Sequence, residues 1–210
     1  MPWYQWICLL AFIICFSSLL FHFIRLLRLG SPRDFAKPAG DIKSATLYSF
    51  TGAMSPLKKE SAFLHIPTYA AGMIYHLGTF CSMLLLFFIW ADVVFPKVLA
   101  LGLSSFMLVS SGCGAGILAK RIVKKGMREL SNPDDYISNI LVTAFQLITA
   151  LHLLLPGMFS AAYFLAAASL LLYIPLGKLK HLLYFFSARM QLGFFFGSRG
   201  VWPPHRKQIP

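Results

Sequence analysis

The stretch FLHIPTYAAGMIYHLGTFCSMLLLFFIW, from Phe63 to Trp90, limits what this chain can fold into more than any other. As a helix rising ~1.5 Å per residue it is long enough to cross the ~30 Å hydrocarbon layer of a bilayer. It contains no Asp, Glu, Lys or Arg, yet it carries His65 and His76. Ionisable groups in such a span need partners that lipid cannot offer, which marks them as candidates for function.

At 3.6 residues per turn, the eleven residues from His65 to His76 make almost three turns, so both imidazoles fall on one stripe, ~16 Å apart along the axis. Tyr69 and Gly72 lie between them on that stripe, and the glycine removes a side chain that would obstruct a flat macrocycle. The spacing has room for two stacked haems, with each histidine an axial ligand. The plainer reading, in which each histidine bonds to a neighbouring helix or sits among lipid headgroups, stays open on the residues alone.

With 58% hydrophobic and 12% charged residues, the chain reads as a polytopic membrane protein. The expected fold is all-α, a single transmembrane domain over 1–210. Five helices are expected at about 4–27, 63–91, 98–119, 136–155 and 159–186, with a loop at 30–60 and a tail at 187–210. Pro32, Pro38 and Pro56 exclude a long helix from the loop, Asn132-Pro133-Asp134 reads as a helix N-cap, and Pro156-Gly157 as a sharp turn. The third helix is lined with small residues, and its Gly112 and Gly116 form a GxxxG that predicts close helix approach. The N-terminal run lacks a basic start and has its positive charges after the apolar stretch, so it reads as a retained helix rather than a cleavable signal.

A net charge of +12 raises the question of nucleic acid, which the distribution of charge answers. Every lysine and arginine except Lys97 falls on one set of connections. The positive-inside rule makes that face cytoplasmic, giving an N-out, C-in topology in the cell (inner) membrane. Such a face attracts anionic lipid or seats an acidic partner, which accounts for the charge without nucleic acid. Cys8, Cys15, Cys81 and Cys113 show no metal or haem-attachment spacing and read as small packing residues. No carboxylate pair, hydrolase triad or thiol nucleophile is present, so the chain has no complete active site of its own and its chemistry is expected in cofactors and partners.

Depth along the five expected helices pairs His65 with His181 near the basic face and His76 with His152 further out. Two imidazoles per iron fill both axial positions and suit haem to electron transfer. On straight helices the second pair has a depth mismatch of about 15 Å that tilt would have to close.

YHLGTF around His76, IPLGKLKH leading into His181 and the five-helix plan together resemble the gamma subunit of respiratory nitrate reductase and its relatives, the membrane cytochromes of heterodisulfide-reductase-like and dissimilatory sulfite reductase complexes. The resemblance implies two b-type haems held by two histidines on one helix and two on the fifth. His65, His76 and His181 match by position, with the first spacing one residue longer here. The fourth position, 18 residues before the last histidine, is Tyr163. His152 lies at similar depth across the Pro156-Gly157 turn, so the expectation is a ligand moved to helix four with Tyr163 lining the site. The resemblance also implies a quinol-site lysine in the external loop, matched by Lys97, with Asp92 and Tyr163 as further quinone-binding candidates.

The expected function is therefore a dihaem b-type cytochrome subunit of a respiratory redox complex. It would exchange electrons between membrane quinone and a cytoplasmic iron–sulfur or flavin subunit docked on the basic face. The rival reading is a haem-free membrane anchor or small transporter with structural histidines, and a third is a single-haem version in which only His65 and His181 ligate.

Overall fold

A computed structural model describes residues 1–30, 35–55 and 65–204. The expected start of the second helix at 63, and Arg33, Lys58, Lys59, Arg206 and Lys207 of the basic face, lie outside the described residues. Among the described residues every regular element is helical: α1 (Trp3–Arg28), α2 (Ile42–Phe50), α3 (Ile66–Trp90), α4 (Lys97–Val123), α5 (Lys125–Glu129), α6 (Pro133–Leu154), α7 (Pro156–Tyr173) and α8 (His181–Ser198). Five of them, α1, α3, α4, α6 and α7, are long and apolar enough to cross a membrane. Large apolar side chains such as Phe16, Leu84, Val109 and Ile140 are exposed on these helices, as suits surfaces covered by lipid. The chain is a multi-pass membrane protein in contact with the bilayer.

The chain divides into two compact units, the first comprising Met1–Leu20 with Pro67–Lys180 and the second Phe21–Ile66 with His181–Pro210. In the first unit α3 and α6 run parallel, with α4 and α7 antiparallel to them. The hydroxyl of Tyr75 on α3 donates to the Asn139 carbonyl at 3.0 Å and lies 3.0 Å from Thr143 Oγ1 on α6. One to two turns further along, Gln146 Nε2 donates to Thr79 Oγ1 at 2.8 Å and to the Tyr75 carbonyl at 3.0 Å. Asn139 reaches the Gly114 carbonyl of α4, and Ser104 of α4 donates to the Ala150 carbonyl. Because lipid is as apolar as a leucine side chain, such bonds and close backbone packing hold these helices together in place of hydrophobic burial.

The close approaches occur at Gly78 and Gly114. A Cβ on Gly78 would lie 1.9 Å from Ser110 Oγ, and one on Gly114 would lie 2.4 Å from both the Tyr75 ring and Thr143 Oγ1. Gly112 and Gly116, the expected packing pair, meet nothing within 4 Å. The GxxxG points away from the contacts of α4 because Gly114, between its two glycines, takes the face toward α3 and α6.

The ends of α6 are set locally. Asn132 caps it in a reciprocal box with Asp135, and Pro133 opens the first turn. Leu155 alone separates α6 from α7, which opens on Pro156. The far end of α7 departs from expectation: it stops at Tyr173 instead of running to 186. Pro175 cannot continue the backbone ladder, and the next residues fold back on α6. Asp134 accepts from the Tyr173 hydroxyl and from Lys178 N at 2.7 Å, while Asp135 takes Lys178 Nζ at 2.6 Å and Arg121 at 3.4 Å.

The second unit forms largely from the segments expected as loop 30–60 and tail 187–210, with 181–186, expected as the end of the fifth helix, opening α8. Asp41 caps α2 by accepting from the Lys43 and Ser44 amides. Helix α8 packs on α2 through its GFFFG run: Gly193 lies against Thr46, and Gly197 against Ile42 and Ala45. Ser49 donates to the Arg189 carbonyl at 2.8 Å, and Trp202 packs against Phe196 and Tyr48.

Gly114→Ala should lower the thermal stability of the detergent-purified chain by roughly 1–3 kcal/mol, the range for overpacking a tight site. Gly112→Ala and Gly116→Ala should leave it unchanged or slightly raised. Thermal unfolding of the three variants side by side checks this contrast.

Candidate functional site: a cavity at one end of the bundle

The C-terminal ends of α3 and α6 and the N-terminal ends of α1, α4 and α7 surround a cavity of about 630 Å³. Tyr4, Gln5, Asp92, His152, Ser160 and Phe164 are among its lining residues. It lies at the end of the first unit that carries Lys97, opposite Lys120, Arg121, Lys124, Lys125 and Lys178.

His152 is, with Phe164, one of the buried members of this lining, 7% exposed. Its ring stacks on Tyr163 with centroids 4.7 Å apart and planes 11° from parallel, and Tyr163 in turn stacks on Phe145. Phe164 closes the assembly against Tyr163, Tyr4 and Trp90. Among the described residues, neither His152 Nδ1 nor the Tyr163 hydroxyl has a hydrogen-bond partner, although both atoms are buried. The aromatic stack fixes the imidazole plane without using its nitrogens.

Asp92 reaches the cavity rim through an unusual cap. Its φ is +53°, the left-handed region that normally calls for glycine. The Asp92 amide bonds to the Ile89 carbonyl and the Val93 amide to Phe88, the paired bonds of a Schellman motif with Asp92 in the glycine position. A short polar side chain tolerates this conformation better than most, and the cap holds a carboxylate at the mouth of an apolar bundle.

The expected site residues separate. Asp92 and His152 line the cavity and Tyr163 backs it, whereas Lys97, the exposed first residue of α4, is outside the lining. His76 and His152 do not meet. Tyr75 packs at the level of Asn139 and Thr143, so its neighbour His76 is roughly 15 Å short of His152 along the parallel helices at ~1.5 Å per residue. His76 is also exposed, while His152 is buried against Tyr163. Tilt does not close the depth mismatch because side-chain bonds lock α3 and α6 in parallel register.

His181 is not in the fifth span, since it opens α8 after the break at 174–180. His65 precedes α3 by one residue, and both histidines are exposed and belong to the second unit. Gly72 has open space where a Cβ would stand, and Tyr69 is half-buried. Among the described residues, no three His, Cys, Asp or Glu side chains gather as they would around a bare metal ion.

No protein-family model, curated protein or solved structure matches this chain. Its site is therefore read from its own residues. Gln5 and Gln146 escaped the sequence reading, although Gln146 carried a usable signal as an amide within an apolar span.

Asp92→Asn should keep the stability of the native chain, because asparagine also tolerates the left-handed cap. Asp92→Val should lose about 1–2 kcal/mol, the cost of forcing a branched residue into that region. Thermal unfolding in one detergent separates the two.

Proposed function

We propose that this chain is the membrane-embedded b-type cytochrome subunit of a redox complex, exchanging electrons between a membrane quinone and an iron–sulfur or flavin partner. The observation that carries the reading is the open cavity, in which a buried imidazole and a rim carboxylate stand among aromatic and aliphatic side chains with Gln5 and Ser160. Ligand sites commonly combine an apolar lining with a few polar groups that fix orientation. A quinol ring fits the apolar walls, and its hydroxyls fit two acceptors of different strength. His152 and Asp92 take those two hydrogen bonds, and Tyr163 holds the imidazole by stacking. Oxidising the quinol releases two protons and two electrons, and His152 and Asp92 are the first proton acceptors.

The haem assignment is narrower than the sequence expectation. His76 and His152 do not fit one iron, so no electron step is assigned to an outer haem. His65 and His181, which belong to one compact unit, are the residues that would hold a single haem. When bound, a haem would supply reversible one-electron iron chemistry. The likeness of IPLGKLKH and YHLGTF to the nitrate reductase gamma-subunit family supports the same assignment.

By the positive-inside rule the basic end faces the cytoplasm and the cavity end lies outside. The partner then docks on the basic, cytoplasmic face.

A reduced-minus-oxidised spectrum of the purified protein, with a pyridine haemochrome assay, tests the assignment. One haem per chain is expected, lost in His181→Ala and retained in His152→Ala. The latter should instead slow quinol oxidation by roughly 100-fold, the scale of removing a positioned proton acceptor. A featureless visible spectrum overturns the cytochrome reading in favour of a haem-free anchor or small transporter.

A further inference from the structure

The polar residues of α6 follow one another from end to end of the helix. Asp135, Asn139, Thr143, Gln146, Thr149 and His152 succeed each other at steps of three or four residues. Neighbours at that spacing have Cβ atoms ~5–6 Å apart, a gap that one water bridges with two hydrogen bonds of ~2.8 Å. Part of the series is already joined directly: Thr143 Oγ1 donates to Asn139 Oδ1 at 3.2 Å and lies 3.0 Å from the Tyr75 hydroxyl. Thr79 and Gln146 continue it. Gln146 and Thr149 are fully buried.

Helix packing accounts for most of these bonds but leaves two atoms of the series unexplained, Gln146 Oε1 and His152 Nδ1, both buried and without a hydrogen-bond partner among the described residues. The Gln146 amide cannot be turned round, because its Nε2 faces the Tyr75 carbonyl and a Thr79 hydroxyl that already donates to that carbonyl. Its Oε1 is therefore fixed as an open acceptor, costly in an apolar interior unless water reaches it. His152 lines the cavity while its Nδ1 is buried on the protein side. An imidazole so placed can take a proton at one nitrogen and release it at the other.

We infer that this series is a proton path through the bundle, joining the cavity to the basic end beside Asp135, with water held by Gln146 Oε1 and His152 Nδ1. Each hydroxyl, water or imidazole accepts a proton on one side and passes one on from the other, so no electrons move and every group returns to its starting composition. Asn139 and Gln146 pass no proton themselves and act by positioning hydroxyls and water. At 22 residues, ~1.5 Å each, α6 matches the ~30 Å apolar layer, so the path crosses all of it. At the basic end Arg121 and Lys178 flank the Asp135 carboxylate. The use of this path by a quinone rests on the function proposed above; the path itself does not.

The test uses the full chain in liposomes loaded with a pH-sensitive dye, a potassium diffusion potential as driving force, and no quinone. Proton flux should exceed that of protein-free liposomes and fall about tenfold or more in Gln146→Leu and in Thr149→Val. The Thr149 hydroxyl donates to the Phe145 carbonyl of its own helix, so the valine variant removes none of the hydrogen bonds between helices described above. Ser104→Ala, which removes an α4–α6 bond outside the series, should conduct normally. Wild-type flux no greater than that of empty liposomes, or undiminished flux in Thr149→Val, overturns the path. Absence of haem or of quinol oxidation with flux intact overturns only the functional reading.

Discussion

The hydrogen bonds that tie α6 to α3 set the register on which the rest of the first unit depends. In water, two such helices would be pressed together by burying apolar surface, and their polar contacts would add little net stability. In lipid that pressure is absent, and interhelical hydrogen bonds of order 0.5–1.5 kcal/mol, with the backbone approaches at Gly78 and Gly114, decide which faces meet. Tyr75 and Gln146 supply both a donor and a fixed level along the axis. Once that level is set, the position of everything at the helix ends follows.

Among those consequences is the cavity. Parallel α3 and α6 bring their C-terminal ends together, and the short turn at Leu155 returns α7 alongside, so Asp92, His152 and Phe164 converge without any being close in sequence. The same register keeps His76 away from His152. A site that pairs a buried imidazole with a rim carboxylate suits proton exchange with a small aromatic diol better than ligation of iron. The role proposed for His152 is accordingly that of a proton acceptor and not of a metal ligand.

Much of the architecture was legible in the residues. Four spans, the start of the fifth, the Asn132 cap and the turn at Pro156 follow from apolar run length and from capping chemistry within a few residues, and such local rules survive folding. The α2–α8 unit was harder to read. GFFFG at 193–197 has the spacing of a close helix contact, but its partner is a nine-residue helix 150 positions away whose surroundings look like loop. The end of α7 shows the same limit, since Pro175 signals a break but only the Asp134 carboxylate, brought from the start of α6, turns that break into a fixed corner.

The sequence by itself determined that this chain crosses a membrane as helices, because backbone groups in lipid must be satisfied within the segment and apolar length alone sets where that occurs. It also determined the candidate polar residues, since few side chains of that kind occur in the spans. Which of them share a site was decided only by tertiary structure. Periodicity places residues around one helix, whereas the axial level of one helix against another depends on a few specific bonds, here those of Tyr75 and Gln146, that no local pattern encodes.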